Sequence, residues 1–239
     1  MNFLSLFKRN ISYKLKKKIS IDEIKFKKNT NLDFLFKYFQ TDKSSKLHGF
    51  TKFYIKHFKI FENKRINFLE IGSATGASAA SFVKFFKKSK AFCIDVNLTL
   101  VKYKSNKIRY FGLSISNIKY LNKFIYKLYS KYSVKKFDFI IDDGSHILSD
   151  QLKSINFFLK YVKPKGLYVV EDFKFPDYFS RCKDTDELTI DKLILKLKNR
   201  NRIRSKILEN DTLNILKSCK IYKYKGNSKI SDIVFFKRS

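Results

Sequence analysis

Asp142, Asp143, Gly144, Ser145 and His146 stand in a row where the apolar run 137–141 stops. Glu171 and Asp172 close a second apolar run, 28 and 29 residues after Asp143. Neighbouring strands lie about 4.8 Å apart, so acids at two adjacent strand ends can converge on one point. Three carboxylates crowded into a partly buried place repel one another and are costly. A divalent cation removes that cost, and all-oxygen ligation by Asp143, Glu171 and Asp172 favours Mg²⁺, Mn²⁺ or Ca²⁺ over Zn²⁺. Gly144 lets the chain turn, which holds His146 over the same cleft as a candidate general base. Turn chemistry is the competing reading. Asp-Asp-Gly-Ser is a good loop sequence, and Asp143 or Ser145 would then only cap the next helix. The second acid pair at a matching strand end favours chemistry.

A second group is LEIGSATGAS (69–78), with Asp95 beyond it. The chain holds five alanines, and four of them lie between Ala74 and Ala80, so this stretch resists bulky side chains. Gly72 and Gly76 allow a tight turn and close backbone approach, with Ser73, Ala74, Ala77 and Ser78 keeping the floor low. Glu70 lies at the first strand's end. Asp95 ends the next strand, where a carboxylate can accept both hydroxyls of a ribose. The pattern E-x-G-x-x-x-G is neither G-x-G-x-x-G nor a Walker loop, so an adenosine without phosphates fits better than a nucleotide. The alternative is a tight turn whose small residues serve helix–sheet packing.

These groups need a scaffold that brings strand ends to one edge. Residues 66–71, 91–96, 107–113, 137–142 and 166–173 read as buried strands. Helical patterns separate them at 77–88, 118–132 and 146–162, and KPKG (163–166) reads as a stop-and-turn. A helical region follows over 186–207. The C-terminal stretch 219–238 reads as two strands joined at Gly226-Asn227. Alternating strands and helices imply an α/β, doubly wound, Rossmann-like and mostly parallel sheet, with ligands beyond the carboxyl ends of its strands. Residues 31–62 look helical. Residues 1–30 are Lys-rich and loosely amphipathic, either a solvated helical extension or a membrane-surface helix.

The 69–78 loop and Asp95 resemble motif I and the following acidic position of class I S-adenosylmethionine-dependent methyltransferases. The resemblance runs from about residue 66 to the C-terminus. It implies a seven-stranded sheet with an antiparallel last strand beside the sixth. DDGSH followed by Glu171-Asp172 narrows it to the metal-dependent sugar O-methyltransferases of macrolide biosynthesis, the mycinamicin type, and related surface-saccharide enzymes. The resemblance implies Asp143, Glu171 and Asp172 as metal ligands, Mg²⁺ or another hard divalent cation as the metal, His146 as general base and S-adenosylmethionine as cofactor. TDKSSKLHGFTKFY (41–54) resembles a family segment that closes over the cofactor, with Thr41, Asp42, Lys43, His48 and Tyr54 matching and Phe50 in place of Tyr. Cofactor contacts are thereby expected from Thr41, Lys43, Glu70, Gly72, Ser73, Gly76, Ser78, Asp95, Ser114 and Asp142. The loop FGLSISN lacks the acid the family often carries, which leaves Ser114 or Ser116 for the adenine side. The implied division is a helical cap, 1–62, and a methyltransferase domain, 63–239.

The formal net charge is +31, from 52 Lys+Arg against 21 Asp+Glu. Only eight of the basic residues are Arg, the side chain suited to bidentate phosphate recognition, and the lysines are spread along the chain. The wealth of Lys, Ile, Asn, Phe and Tyr follows A/T-rich codons. Nucleic acid is therefore not the expected partner, and the resemblance implies a small-molecule or saccharide acceptor. Rival readings are an RNA methyltransferase, an enzyme acting on a non-sugar diol, and a binding protein that keeps the fold. The positive field should still attract anionic membrane surfaces at low salt. Three widely spaced cysteines and no leader-like or spanning stretch point to the cytoplasm. A homo-oligomer is compatible with the sequence.

Overall fold

The structure, a computed structural model, describes residues 3–27 and 29–239, without the side chain of Phe3. Seven strands form one sheet: β2 (Ile66–Ile71), β3 (Ser89–Asp95), β5 (Ile108–Gly112), β6 (Phe137–Asp142), β7 (Val162–Glu171), β8 (Lys220–Lys225) and β9 (Asp232–Lys237), in the order β5-β3-β2-β6-β7-β9-β8. The β2/β3, β3/β5 and β6/β7 pairs are parallel, and β9 runs antiparallel to both β7 and β8. The expected α/β fold with an antiparallel last strand is what forms. A separate two-stranded parallel pair joins β1 (Ile19–Ser20) to β4 (Tyr103–Lys104).

By its contacts the chain divides into two units, Met1–Leu121 and Asn122–Ser239. In the first, α2 (Leu32–Phe39) packs on α4 (Ala77–Phe85), and α3 (Thr51–Phe58) joins through aromatic side chains. Phe36, Tyr54 and Phe58 all meet the ring of Phe82, with centroids 5.3 to 5.6 Å apart. Such rings bury large apolar areas at low entropic cost, so this cluster fixes α2 and α3 on the helix that follows the glycine loop. The Asn31 side chain caps α2 by accepting from the Phe34 N–H. α1 (Phe3–Leu15) belongs to the same unit and lies beside β5.

The second unit is built on β6 and β7. β6 is buried almost throughout and β7 from Gly166 onward, as strands covered on two faces must be, and Asp142 pairs with Val170 in the parallel register. α5 (Ile118–Tyr132) precedes β6, α6 (Leu148–Phe158) follows it, and the short α7 (Phe175–Tyr178) follows β7.

Three expectations need correction here. KPKG does not stop the chain, because β7 begins at Val162 and runs through it. A register shift between Phe137 and Phe139 and a left-handed Lys165 (φ 62°) absorb Pro164 as an irregularity. Gly166 passes so close to β6 that a Cβ there would lie 2.6 Å from the Asp138 carbonyl. The helix expected over 186–207 is confined to α8 (Ile190–Lys198), and α9 (Asn210–Ser218) forms where none was expected. Finally, the last two strands are joined through 226–231 rather than by a two-residue turn, with the Gly226 N–H donating to the Ser231 carbonyl at 2.7 Å.

Candidate functional site

In the first unit the glycine loop sits between β2 and α4. Gly72 (φ 80°) and Gly76 (φ 77°) are left-handed, as is Ala74 (φ 42°) between them. A non-glycine residue in that region is held there only by its surroundings. The hold is visible: the Ala74 N–H donates to Asp95 Oδ2 at 2.8 Å, and the Asn97 N–H donates to Oδ1 at 2.7 Å. Asp95 at the end of β3 therefore clamps the loop at the end of β2. Gly76 is demanded twice, because a Cβ there would also lie 2.2 Å from the Tyr110 hydroxyl.

Glu70 and Ser73 are buried beside this loop, and Ser78 is buried in the first turn of α4. The Cys93 thiol faces Glu70 Oε2 at 3.9 Å, and burial, then the Glu70 charge, pushes its pKa well up. Ser114 lies beyond β5 and accepts from the Ser116 N–H at 3.2 Å. Ser73 Oγ, Ser78 Oγ and the Tyr110 hydroxyl are buried without a hydrogen-bond partner. Orphaned polar atoms of this kind are rare in a settled interior, and three around one loop fit a polar ligand.

The 41–54 segment belongs to the same unit. Thr41 follows the left-handed Gln40 at the end of α2, and Lys43 is buried, its ammonium 3.9 Å from Asp42 Oδ1. His48 Nε2 lies 3.7 Å from Asp42 Oδ2. Asp33 in the first turn of α2 ties the segment down, accepting from the Ser45 N–H (2.6 Å), Ser45 Oγ (2.7 Å) and Thr51 Oγ1 (2.8 Å). Burial alone would raise the Asp33 pKa, but these bonds and Lys37 at 2.6 Å hold it below the usual carboxylate range. Thr41, Asp42, Lys43, His48 and Tyr54 were legible in advance as a pattern; Asp33 carries no sequence signal of its own.

In the second unit Asp143, His146 and Asp172 come together, each offering a ligand atom within 4.8 Å of the others. Asp143 Oδ1 is 3.8 Å from His146 Nε2. His146 (φ 56°) and Asp172 (φ 48°) are both left-handed, so two of the three sit in backbone regions that cost energy to hold. Phe175 packs on the imidazole, with centroids 4.8 Å apart. Glu171 is buried at the end of β7, adjacent in sequence but not in that triad. Ser145 Oγ donates to Asp150 Oδ2 at 2.7 Å, so the turn is also locally braced.

Asp142 does a different job from Asp143. It is buried, accepting from the Tyr168 hydroxyl and the Gly144 N–H, each at 3.3 Å. Burial, with Asp143 beside it, pushes its pKa up to about 7 against hydrogen bonds from Ser154, Gly144 and Tyr168. The start of α6 is fixed from outside, as Asp184 takes both the N–H (2.9 Å) and the hydroxyl (2.6 Å) of Ser149. Sequence reading missed Tyr168, Phe175 and Asp184. Tyr168 looks like any strand residue, and the other two lie beyond the motif.

No family model matches the chain. Over 139 residues it is 31% identical to mycinamicin VI 2''-O-methyltransferase of Micromonospora griseorubida, an overlap of 55% of this chain and 33% of that protein. Demethylmacrocin O-methyltransferase of Streptomyces fradiae matches at 30% identity over the same shares. Among solved structures, the MycE methyltransferase of the mycinamycin biosynthetic pathway, in complex with Mg, SAH and mycinamycin VI, superposes with a TM-score of 0.66. It is 22% identical, and the match covers 89% of this chain and 54% of that one. The chain thus spans a third to about half the length of these relatives. The resemblance expected from the motifs to macrolide sugar O-methyltransferases is found, and the superposition shows their fold.

Proposed function

We propose that this protein is an S-adenosylmethionine-dependent, Mg²⁺-dependent O-methyltransferase acting on a sugar hydroxyl of a saccharide or glycosylated small molecule. The observation that carries the reading is the convergence of Asp143, His146 and Asp172. Its support is the sequence similarity to macrolide sugar O-methyltransferases and the Mg and SAH in the MycE complex.

The residues fit both groups. Asp95 stands where a ribose carboxylate partner is needed, and Ser73, Ser78 and Tyr110 offer unspent polar atoms beside the loop. Asp143 and Asp172 offer the hard oxygens a cation such as Mg²⁺ takes, with Glu171 at the same strand end. When bound, the cofactor supplies an activated methyl group and the cation lowers the pKa of a coordinating hydroxyl. The chain's own residues do the rest. The Gly72–Gly76 loop, clamped by Asp95, seats the nucleoside, with Glu70 and Ser114 flanking it. Thr41 and Lys43 belong to a cap, 1–62, that we assign to the cofactor side of the methyltransferase domain, 63–239. Asp142 shapes the turn that presents Asp143. His146 takes the acceptor proton at Nε2, with Asp143 stabilising the imidazolium that results. Alignment of the acceptor oxygen with the methyl carbon contributes much of the rate.

A second reading keeps the activity but makes His146 a metal ligand, because His146 rather than Glu171 is in the triad. Methyl transfer from labelled S-adenosylmethionine to a panel of glycosides, with and without chelator, tests the function. As a base, His146→Ala retains Mg²⁺ binding and loses turnover; as a ligand, it loses both. Full activity after exhaustive metal removal would sink the metal reading. Among the described residues no helix is long and apolar enough to cross a membrane. The free thiols of Cys93, Cys182 and Cys219 suit a reducing cytoplasm.

A further inference from the structure

Helix α1 is turned the wrong way round for a settled surface helix. Amphipathic helices normally put their apolar stripe on the protein and their polar face in water. Here Leu6, Arg9, Asn10 and Tyr13 face the protein, whereas Leu4, Phe7, Ile11 and Leu15 are 61%, 53%, 43% and 82% exposed. Those four recur at helical spacing and form one continuous apolar stripe. Exposed Lys8 and Lys14 flank it, and Lys16 and Lys17 follow. No acidic residue occurs before Asp22.

The inward face holds on through polar groups. Arg9 Nη1 donates to the Val96 carbonyl (3.4 Å), Asn10 Nδ2 to the Gly112 carbonyl (3.2 Å) and Lys16 Nζ to the Thr99 carbonyl (2.6 Å). Tyr13 meets the edge of Tyr110, with centroids 6.1 Å apart. The fit is close, since any Cβ on Gly112 would overlap the Asn10 side chain. It is also incomplete, because Asn10 Oδ1 is buried without a hydrogen-bond partner. Such a group is costly where it sits, and the cost is relieved when the helix leaves.

The carbonyls that α1 covers, Val96, Thr99 and Gly112, lie at and beyond the carboxyl ends of β3 and β5, next to Asp95. Below α1 the chain is firmly anchored. The Ile19 and Ile21 N–H groups donate to the Lys102 and Lys104 carbonyls, and Asp22 accepts from Ser105 Oγ and the Asn106 N–H. Residues 16–18 are therefore the pivot.

We propose that α1 is an interfacial helix. It docks through the Leu4, Phe7, Ile11 and Leu15 stripe onto an anionic lipid surface, and in swinging there it uncovers the β3–β5 edge. An apolar stripe with lysines alongside and no acids is what a membrane carrying negative headgroups binds. The net charge of +31 draws the whole chain toward the same surface. The uncovering step rests on the nucleoside reading given above.

The chain contains no Trp, so Phe7→Trp in the whole 239-residue chain places a single fluorescent reporter in the stripe. With vesicles of equimolar phosphatidylcholine and phosphatidylglycerol, the protein floats and the emission shifts to the blue. With phosphatidylcholine alone it does neither. Adding Leu4→Ser and Ile11→Ser, with the far-ultraviolet circular dichroism unchanged, lowers partitioning by about tenfold or more. Absence of flotation on the anionic vesicles overturns the proposal. So does flotation undiminished by the double substitution, which would assign the effect to lysines alone. Affinity for S-adenosylhomocysteine should rise on the anionic vesicles, and an unchanged affinity on vesicles that do carry the protein overturns the uncovering step. No affinity with or without vesicles counts against the nucleoside reading and leaves the lipid result standing.

Discussion

Replacing Asp142 by Asn should stabilise the protein, and by an amount that depends on pH. Burial raises the Asp142 carboxyl from its ordinary 3.8 to about 7. A raised acid pKa means that the folded state holds the proton more tightly than the unfolded chain does. The stabilising contribution is complete below 3.8 and is lost as pH rises from there to about 7. Above 7 the buried carboxylate is ionised at full cost, at most about 4 kcal/mol. Asn carries no charge; its amide oxygen can still accept from the Gly144 N–H while its NH2 donates to the Tyr168 hydroxyl, so the variant escapes that loss. Thermal unfolding with chelator present isolates the effect, since a cation at Asp143 would favour the ionised form. The two proteins should melt within about 1–2 °C of each other at pH 4. The gap should then widen in the variant's favour to roughly 10 °C by pH 8, using about 2–4 °C per kcal/mol for a chain of this size. Parallel curves from pH 4 to 8 would refute the assignment of a buried, proton-holding carboxyl.

Gly76→Ala should cost about 2 kcal/mol in stability by denaturant titration, because an L residue there is left-handed and presses on Tyr110, and calorimetry should show S-adenosylhomocysteine binding weakened along with it. Asp33→Ala should release the 41–51 segment at a cost of roughly 1–2 kcal/mol, seen as faster amide exchange over those residues. The Asp33 pKa is depressed, so this contribution is present above about 3.8 and fades as pH falls below it. Gly166→Ala should lower the melting temperature through its clash with the Asp138 carbonyl, leaving metal binding intact.

The parts of this fold that sequence reading captured are those where one physical signal acts alone. β6 is bounded as expected because an unbroken apolar run meets two acids, and α5 because its 3.6-residue stripe is uninterrupted. β7 was cut short because Pro164 and Gly166 signal a turn locally, while the partner strand β6 carries the chain past them. β1 and β4 have two residues each, too few for any period to show. α9 follows an eleven-residue gap in which Arg and Asn outnumber the apolar Ile203, Ile207 and Leu208, and the helix pattern was read as already finished at 207. At the site, Asp143, His146 and Asp172 were legible because their types and spacing are unusual in so basic a chain. Their grouping without Glu171 was not, because it depends on the left-handed backbone of His146 and Asp172, which composition does not encode. The reversed face of α1 was equally hidden, since amphipathic spacing does not say which side meets the protein.

The most direct test of the account is a calorimetric titration of Mg²⁺ into the intact protein saturated with S-adenosylhomocysteine, beside Asp172→Asn and His146→Ala. Saturable binding to the parent protein, lost in Asp172→Asn and kept in His146→Ala, is the predicted result. Equal binding by all three proteins, or none by the parent, would contradict it.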